Sequence, residues 1–129
     1  MKDSGFTLVE LLAVISILAL LGLIIVPVTN NILNNNKNKL YNLQISNIED
    51  GAKNYVSSHV FDIDIPIGSS KGITLGTLQD LGFIETDIVN PLTREKFSSD
   101  LIIVISNTTN GFIYKVCTAE VSCDIVDML

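Results

Sequence analysis

The feature that most constrains this chain is an apolar run near its N-terminus, residues 6–28, which holds a single charged side chain, Glu10. As an α-helix rising about 1.5 Å per residue, the uncharged part, residues 11–28, spans about 27 Å, close to the ~30 Å hydrocarbon core of a bilayer. Its Leu, Ile and Val side chains favour insertion by about 4 to 9 kcal/mol, against a cost of at most about 3 kcal/mol for one acid. We therefore expect this run to enter a membrane. A carboxylate within it is costly and calls for a specific partner.

The remaining composition argues against several classes of function. The chain has 129 residues, enough for one domain, and a net charge of -6, which disfavours nucleic-acid binding over its general surface. One histidine, His59, and two cysteines leave little material for a catalytic cluster, and no phosphate-binding loop or zinc-ligand spacing is present. His59 fits a helix-terminal or core position better than a ligand position. We predict no catalytic residues, no metal site and no cofactor.

Two common kinds of N-terminal segment fit poorly. A secretory signal has a basic start, a short apolar region and a cleavage site of small residues after it. Here Lys2 is offset by Asp3, the apolar run is too long, and no such site follows. A plain signal anchor explains the length of the run but leaves Glu10 unexplained.

The chain closely resembles type IV prepilins and pseudopilins over residues 5–27, GFTLVELLAVISILALLGLIIVP. The resemblance implies a leader, residues 1–5, which a prepilin peptidase removes after Gly5 on the cytoplasmic side of the membrane. It implies that the new N-terminus, Phe6, is then methylated on its amine, and that residues 6–28 form a transmembrane and polymerisation helix.

The resemblance also implies the partners and the location. The chain would be a non-enzymatic, structural subunit of a filament, joined to copies of itself and to other pilins and handled by a platform protein and an assembly ATPase. It would cross the cell membrane once, with its N-terminus in the cytoplasm, and then enter an extracellular filament. A surface pilus, a competence pilus and a type II secretion pseudopilus all fit. A membrane-anchored binding or redox module that does not polymerise is the alternative from another class.

After the implied cleavage, Glu10 has a candidate partner in the charged amine of Phe6, one helical turn away. In an apolar bundle of helices, pairing the amine of one copy with Glu10 of its neighbour would neutralise both charges and select one register. A pair within one chain is the alternative.

The predicted fold is α+β and pilin-like, with a long N-terminal helical spine packed on a small antiparallel β-sheet. The head, residues 29–129, is expected to contain an amphipathic helix, residues 29–59, and a C-terminal sheet, residues 98–129. Gly22 and Pro27 are expected to kink or end the membrane helix or to let it unwind in a filament. Gly51 is expected to weaken the amphipathic helix. Steps of three and four residues predict one apolar stripe on that helix: Leu33, Leu40, Leu43, Ile45, Ile48, Ala52, Tyr55, Val56 and His59.

The rest of the head is expected to follow the order of its apolar and turn-forming residues. We predict an extended edge segment at 61–68, a loop at 68–72, a short helix within 73–84, a turn at 90–97, and strands at 101–106, 112–118 and 121–128. Thr74 or Thr77 is expected to cap the short helix.

Cys117 and Cys123 are predicted first as a disulfide, because the head would lie outside the cytoplasm. A reduced pair and a redox pair stay open as alternatives. Glu120, Asp124 and Asp127 are candidate calcium ligands by similarity to major pseudopilins. The alternative for these three acids is a solvated acidic edge.

Overall fold

A computed structural model describes residues 5–119, 121–123 and 127–129. The chain divides into two compact units, Met1–Lys37 and Asn38–Leu129. The described elements, in chain order, are α1 (Leu8–Ser58), β1 (Ser70–Thr74), α2 (Leu75–Asp80), β2 (Ile102–Thr108), β3 (Gly111–Val116) and β4 (Asp127–Met128).

The first unit consists of the N-terminal part of α1, whose large apolar side chains are all exposed. This helix is long and apolar enough to cross a membrane. The helix continues through Gly22 and Pro27, so it does not end at the proline. A kink or local unwinding there stays a prediction. The hydroxyl of Ser16 donates to the Leu12 carbonyl at 2.7 Å, so this polar group is satisfied inside the helix.

The head is built on a four-stranded sheet in the order β3-β2-β1-β4. β2 pairs antiparallel with both β1 and β3, whereas β4 pairs parallel with β1. The sheet is therefore mixed rather than purely antiparallel. The predicted α+β fold, a long N-terminal helix with a small sheet, is confirmed.

The segment between α1 and the sheet differs from the extended edge segment that was expected at residues 61–68. It forms a turn at 60–62 instead, and the strand begins only at Ser70, inside the expected loop. Side-chain anchoring explains the difference. The side-chain amide of Asn107 donates to the Ile65 carbonyl at 2.7 Å, and the Gly68 N–H donates to the Asn107 carbonyl at 2.8 Å. These bonds use a β2 residue to hold the segment without extending the sheet.

The hydrophobic core lies between the sheet and the C-terminal part of α1. Its fully buried side chains come from the helix, the segment before β1, and the strands and α2, namely Ile48, Ala52, Val56, Ile65, Ile73, Leu75, Leu78, Ile103, Ile105 and Val116. The predicted single apolar stripe is wrong, because Leu33, Leu40 and Leu43 are exposed. At 3.6 residues per turn, Leu40 and Leu43 lie about 120° and 180° around the helix from Ala52, which is buried between Ile48 and Val56. They point away from the buried face.

The short helix is capped as expected. Thr74 precedes α2 with extended backbone, and its hydroxyl oxygen accepts the N–H of Thr77 at 3.2 Å. Gly82 follows α2 with φ of +80°, a left-handed conformation that glycine adopts at little cost. These two residues set both ends of the helix, and α2 then delivers Leu75 and Leu78 to the core.

Gly51 does not simply weaken α1; it is buried where the helix meets the segment after α2. A Cβ atom built on Gly51 would lie 2.3 Å from Cγ1 of Ile84 and 3.4 Å from the carbonyl oxygen of Phe83. Because glycine has no Cβ atom, Ile84 can pack closer to α1 than any other residue at position 51 would allow. This packing outweighs the poor helix propensity of glycine.

Replacing Gly51 with alanine is expected to destabilise the head by about 1 to 3 kcal/mol, because the new methyl group overpacks the contact with Ile84. Asn54→Ala, on the exposed side of the same helix, is the control and should change stability by less than about 0.5 kcal/mol. Thermal unfolding of the purified chain measures both. A melting temperature raised by Gly51→Ala would show that helix propensity dominates and that the contact is loose.

Candidate cleavage and assembly site

Gly5 and Phe6 lie directly before α1 in exposed, non-helical backbone. Among the described residues other than its chain neighbours, none has an atom within 4 Å of a Cβ position built on Gly5, and the Phe6 side chain is 85% exposed. The described residues therefore leave the bond between Gly5 and Phe6 accessible to an enzyme. Helix formation begins only at Leu8, so this bond is not protected by helical hydrogen bonds.

The first turn of α1 is closed by a capping box formed by Thr7 and Glu10. The Glu10 N–H donates to the Thr7 hydroxyl oxygen at 3.2 Å, and the Thr7 N–H donates to Oε2 of Glu10 at 3.4 Å. The Leu11 N–H donates to the Thr7 carbonyl at 3.1 Å. Two backbone donors that a helix start leaves unpaired are thereby satisfied by side chains.

The capping box gives Glu10 a partner that the sequence interpretation missed. The signal was present, because Thr7-Leu8-Val9-Glu10 has the Thr-x-x-Glu spacing of a capping box. The box turns the carboxylate back toward the start of the helix, where the macrodipole favours negative charge. Glu10 is therefore held facing the end of the chain that cleavage would create.

The capping box holds the Glu10 carboxylate beside Thr7, the residue that follows Phe6. Oε2 of Glu10 lies 3.4 Å from the nitrogen of Thr7, one residue from the nitrogen of Phe6. The latter nitrogen is a peptide amide in the chain as described. Release of residues 1–5 would make it a charged amine. The pair within one chain and the pair between copies both stay proposals.

Cys117 and Cys123 form a disulfide, with their Cα atoms 5.7 Å apart. The Cys117 N–H donates to the Ile102 carbonyl at 2.8 Å, which fixes the first cysteine to β2. Within the ring, Thr118 and Val121 exchange backbone hydrogen bonds of 3.2 and 3.1 Å. The loop-closure estimate for a ring this small is about 2.4 kcal/mol of stabilisation.

The remaining candidate residues have structural surroundings. His59 follows α1, with its ring 4.6 Å from that of Tyr55 and Nδ1 3.0 Å from the Tyr55 carbonyl oxygen. Of the three acids considered for calcium, Glu120 and Asp124 lie outside the described residues. Within the described ranges, no three His, Cys, Asp or Glu side chains are grouped to hold a metal ion.

Two ionisable groups of the head have displaced pKa values. A hydrogen bond and an ion pair with Lys96, at 2.5 Å, lower the pKa of Asp87. Both side chains are well exposed, so this pair adds little to stability. Partial burial raises the pKa of Tyr114 on β3.

Comparison with known proteins matches residues 1–26 to the family model of the prokaryotic N-terminal methylation motif. No curated protein and no solved structure matches the chain. The matched residues include Gly5, Phe6 and Glu10 and most of the apolar run. The chain therefore carries, at its N-terminus, the methylation motif that marks type IV pilins and pseudopilins.

Proposed function

We propose that this protein is a structural subunit of a type IV pilus-like filament, made as a membrane-anchored precursor. A prepilin peptidase cuts it after Gly5, and the new N-terminal Phe6 is methylated on its amine. The observation that carries the proposal is the methylation motif at residues 1–26, which includes most of an apolar helix that is long enough to cross a membrane and whose large side chains are exposed.

The exposed apolar helix supports assembly by helix bundling. From Leu8 to Val28 its large apolar side chains are all about half exposed or more. Lipid covers them while the subunit is in the membrane, and helices of other copies would cover them once the subunit has left it. Exposure of this helix to water is unfavourable, because each apolar side chain in water lacks the free energy that burial in an apolar environment provides. A filament therefore gives this surface the same kind of environment as the bilayer.

Glu10 and the Phe6 amine are proposed to set the register of the bundle. In an apolar bundle an unpaired carboxylate or ammonium each costs several kcal/mol, so helix positions that pair them between copies are favoured. The capping box supports this role, because it holds the carboxylate at the start of the helix, where a neighbouring amine can reach it.

The proposed partners are other copies of the chain, other pilins, the peptidase, a platform protein and an assembly ATPase. The proposed locations are the cell membrane, with the N-terminus in the cytoplasm, and then an extracellular filament. A non-polymerising anchored module predicts a full-length chain in the membrane. The intact mass of the extracted protein separates the two: a filament subunit lacks residues 1–5 and carries one added methyl group.

Replacing Gly5 with valine is expected to leave the full-length precursor in the membrane and to abolish filaments. The peptidase must accept the backbone at the bond it cuts with almost no side chain beside it, and a branched side chain blocks this approach. Gly22→Ala changes a glycine that also has open space around it but lies far from the bond, and should be cut normally. Intact mass distinguishes precursor from product. A Gly5→Val chain of mature mass would refute the cleavage position.

A further inference from the structure

Two exposed surfaces of the head are complementary to each other but lie far apart in one chain. The first is a leucine pair on α1, Leu40 and Leu43, which are 52% and 59% exposed, with Lys39 beside them. The second is the turn at residues 60–62, Val60-Phe61-Asp62, whose Phe61 ring is fully exposed. Each surface combines apolar side chains with one charge, and the two charges are opposite.

The turn is held in a defined position despite its exposure. The N–H groups of Asp62 and Ile63 both donate to the His59 carbonyl, at 2.9 and 3.0 Å. On the far side Ile65 is buried in the core and bonded to Asn107. Phe61 is therefore an aromatic side chain presented on an ordered turn. Exposed aromatic residues on rigid backbone are typical anchors of protein interfaces.

The leucine pair is also left without a cover by the head itself. Tyr41, between them in sequence, packs on Phe97 with ring centroids 6.3 Å apart, so the inner face of α1 is already occupied there. Leu40 and Leu43 are three residues apart and so share one side of the helix, and Lys39 lies four residues before Leu43 on the adjoining side. The chain has a net charge of -6, so a cation beside an apolar pair favours an acidic surface of another copy.

One chain cannot bring the two surfaces together. Leu40 and Ser58, the last residue of α1, are separated by about 27 Å along a helix rising 1.5 Å per residue. Contact between them requires a second copy displaced by about that length. Such a contact joins different surfaces of two copies, and a contact of this kind builds an open filament when the rotation between copies does not close into a ring.

We propose that the turn at residues 60–62 of one copy docks on the leucine pair of another copy, with Phe61 against Leu40 and Leu43 and Asp62 beside Lys39. This inference rests on the proposed filament function and adds to it a contact between heads. The contact lies outside the membrane helix and fixes the displacement between two copies along the filament.

Cysteine cross-linking in assembled filaments tests this contact. A chain with Phe61→Cys and Leu40→Cys, or Phe61→Cys and Leu43→Cys, should give a ladder of dimers and higher oligomers after mild oxidation. Disulfides require Cα atoms within about 7 Å, so a ladder reports direct contact. The native cysteines are already joined and supply no free thiol. Each single variant should stay monomeric, because its thiol faces no second thiol.

The matched control pairs Phe61→Cys with Leu81→Cys, a leucine of similar exposure (52%) outside both surfaces. Loss of the ladder in that control supports the proposal. Normal filaments with no ladder from either leucine variant would overturn it, as would dimers from Phe61→Cys alone, which would show the turn meeting itself. Failure of the unmodified protein to form filaments would instead overturn the proposed function.

Charge reversal gives a second readout that needs no cysteine. Lys39→Asp should lower the yield of sheared filaments relative to total mature protein, and adding Asp62→Lys in the same chain should restore it. Restoration shows that the two side chains face each other across copies, because they are far apart within one. A double variant with lower yield than Lys39→Asp alone would contradict the pairing.

Discussion

Replacing Glu10 with alanine is expected to abolish filaments while leaving membrane insertion and cleavage largely intact. Insertion depends on the apolar residues that follow, and removing a charge from the run makes insertion easier rather than harder. The proposed cleavage acts after Gly5, which lies in exposed backbone before the helix. Only assembly is affected, because the Phe6 amine loses the carboxylate that would pair with it. The amine would then be buried unpaired in the bundle at a cost of several kcal/mol. The measurement is the yield of sheared filaments relative to total mature protein in the membrane.

Thr7→Ala is the control that separates the two roles of Glu10. It removes the hydroxyl that caps the first turn but leaves the carboxylate available to the amine. Loss of such a cap costs about 0.5 to 2 kcal/mol of helix stability. We expect a smaller loss of filaments than for Glu10→Ala, and a partial defect for Glu10→Asp, which is one methylene shorter. Normal filament yield from Glu10→Ala would show that the carboxylate does not set the register.

Replacing Ile103 with aspartate is expected to unfold the head. Ile103 lies on β2, the strand between β1 and β3, and none of its surface is exposed. An aspartate there places a carboxylate among apolar side chains with no partner, which costs several kcal/mol or forces the group to take up a proton. Small domains are stable by only about 5 to 15 kcal/mol, so one such change removes a large part of the total.

Ile113→Asp is the matched control, since it makes the same substitution on the neighbouring strand β3 at a side chain that is 56% exposed. Its thermal unfolding should stay cooperative and shift little. The Ile103→Asp chain should show no cooperative transition. An unchanged melt for Ile103→Asp would mean that the core does not include the centre of β2.

The elements with strong local signals were predictable from the sequence. The long helix, the capped α2 and the β2–β3 hairpin each follow from apolar spacing, a threonine cap or an Asn-Gly turn. β1 was missed because Ser-Lys-Gly looks like a loop; it becomes a strand only by pairing with β2, where Gly72 lies opposite Val104. This pairing between distant segments is a tertiary effect that the local sequence does not indicate.

The face of α1 was harder to predict than its length. Apolar residues at steps of three and four predict a single stripe along the helix. Leu40 and Leu43 nevertheless lie outside the buried face, which contains Ile48 and Val56. The sheet is short, and it covers only part of the helix surface. The role of Gly51 could not be predicted for the same reason. The glycine is needed because Ile84, which is 33 residues away in sequence, packs closely against it. At the N-terminal site, Gly5, Phe6 and Glu10 were proposed from the motif, whereas the capping role of Thr7 was missed although its Thr-x-x-Glu spacing is visible in the sequence.

The redox state of the small ring closed by Cys117 and Cys123 would report whether the C-terminal end of a given chain has left the cytoplasm. Thiols stay reduced in the cytoplasm and oxidise outside it, so on the proposed topology disulfide formation marks the passage of that end across the membrane. Removal of residues 1–5 is proposed to occur at the other end of the chain and on the other side of the membrane. Free thiols can be alkylated at intervals after a pulse of synthesis, and the intact mass of the same molecules can then be measured. This single experiment would show whether export or cleavage comes first.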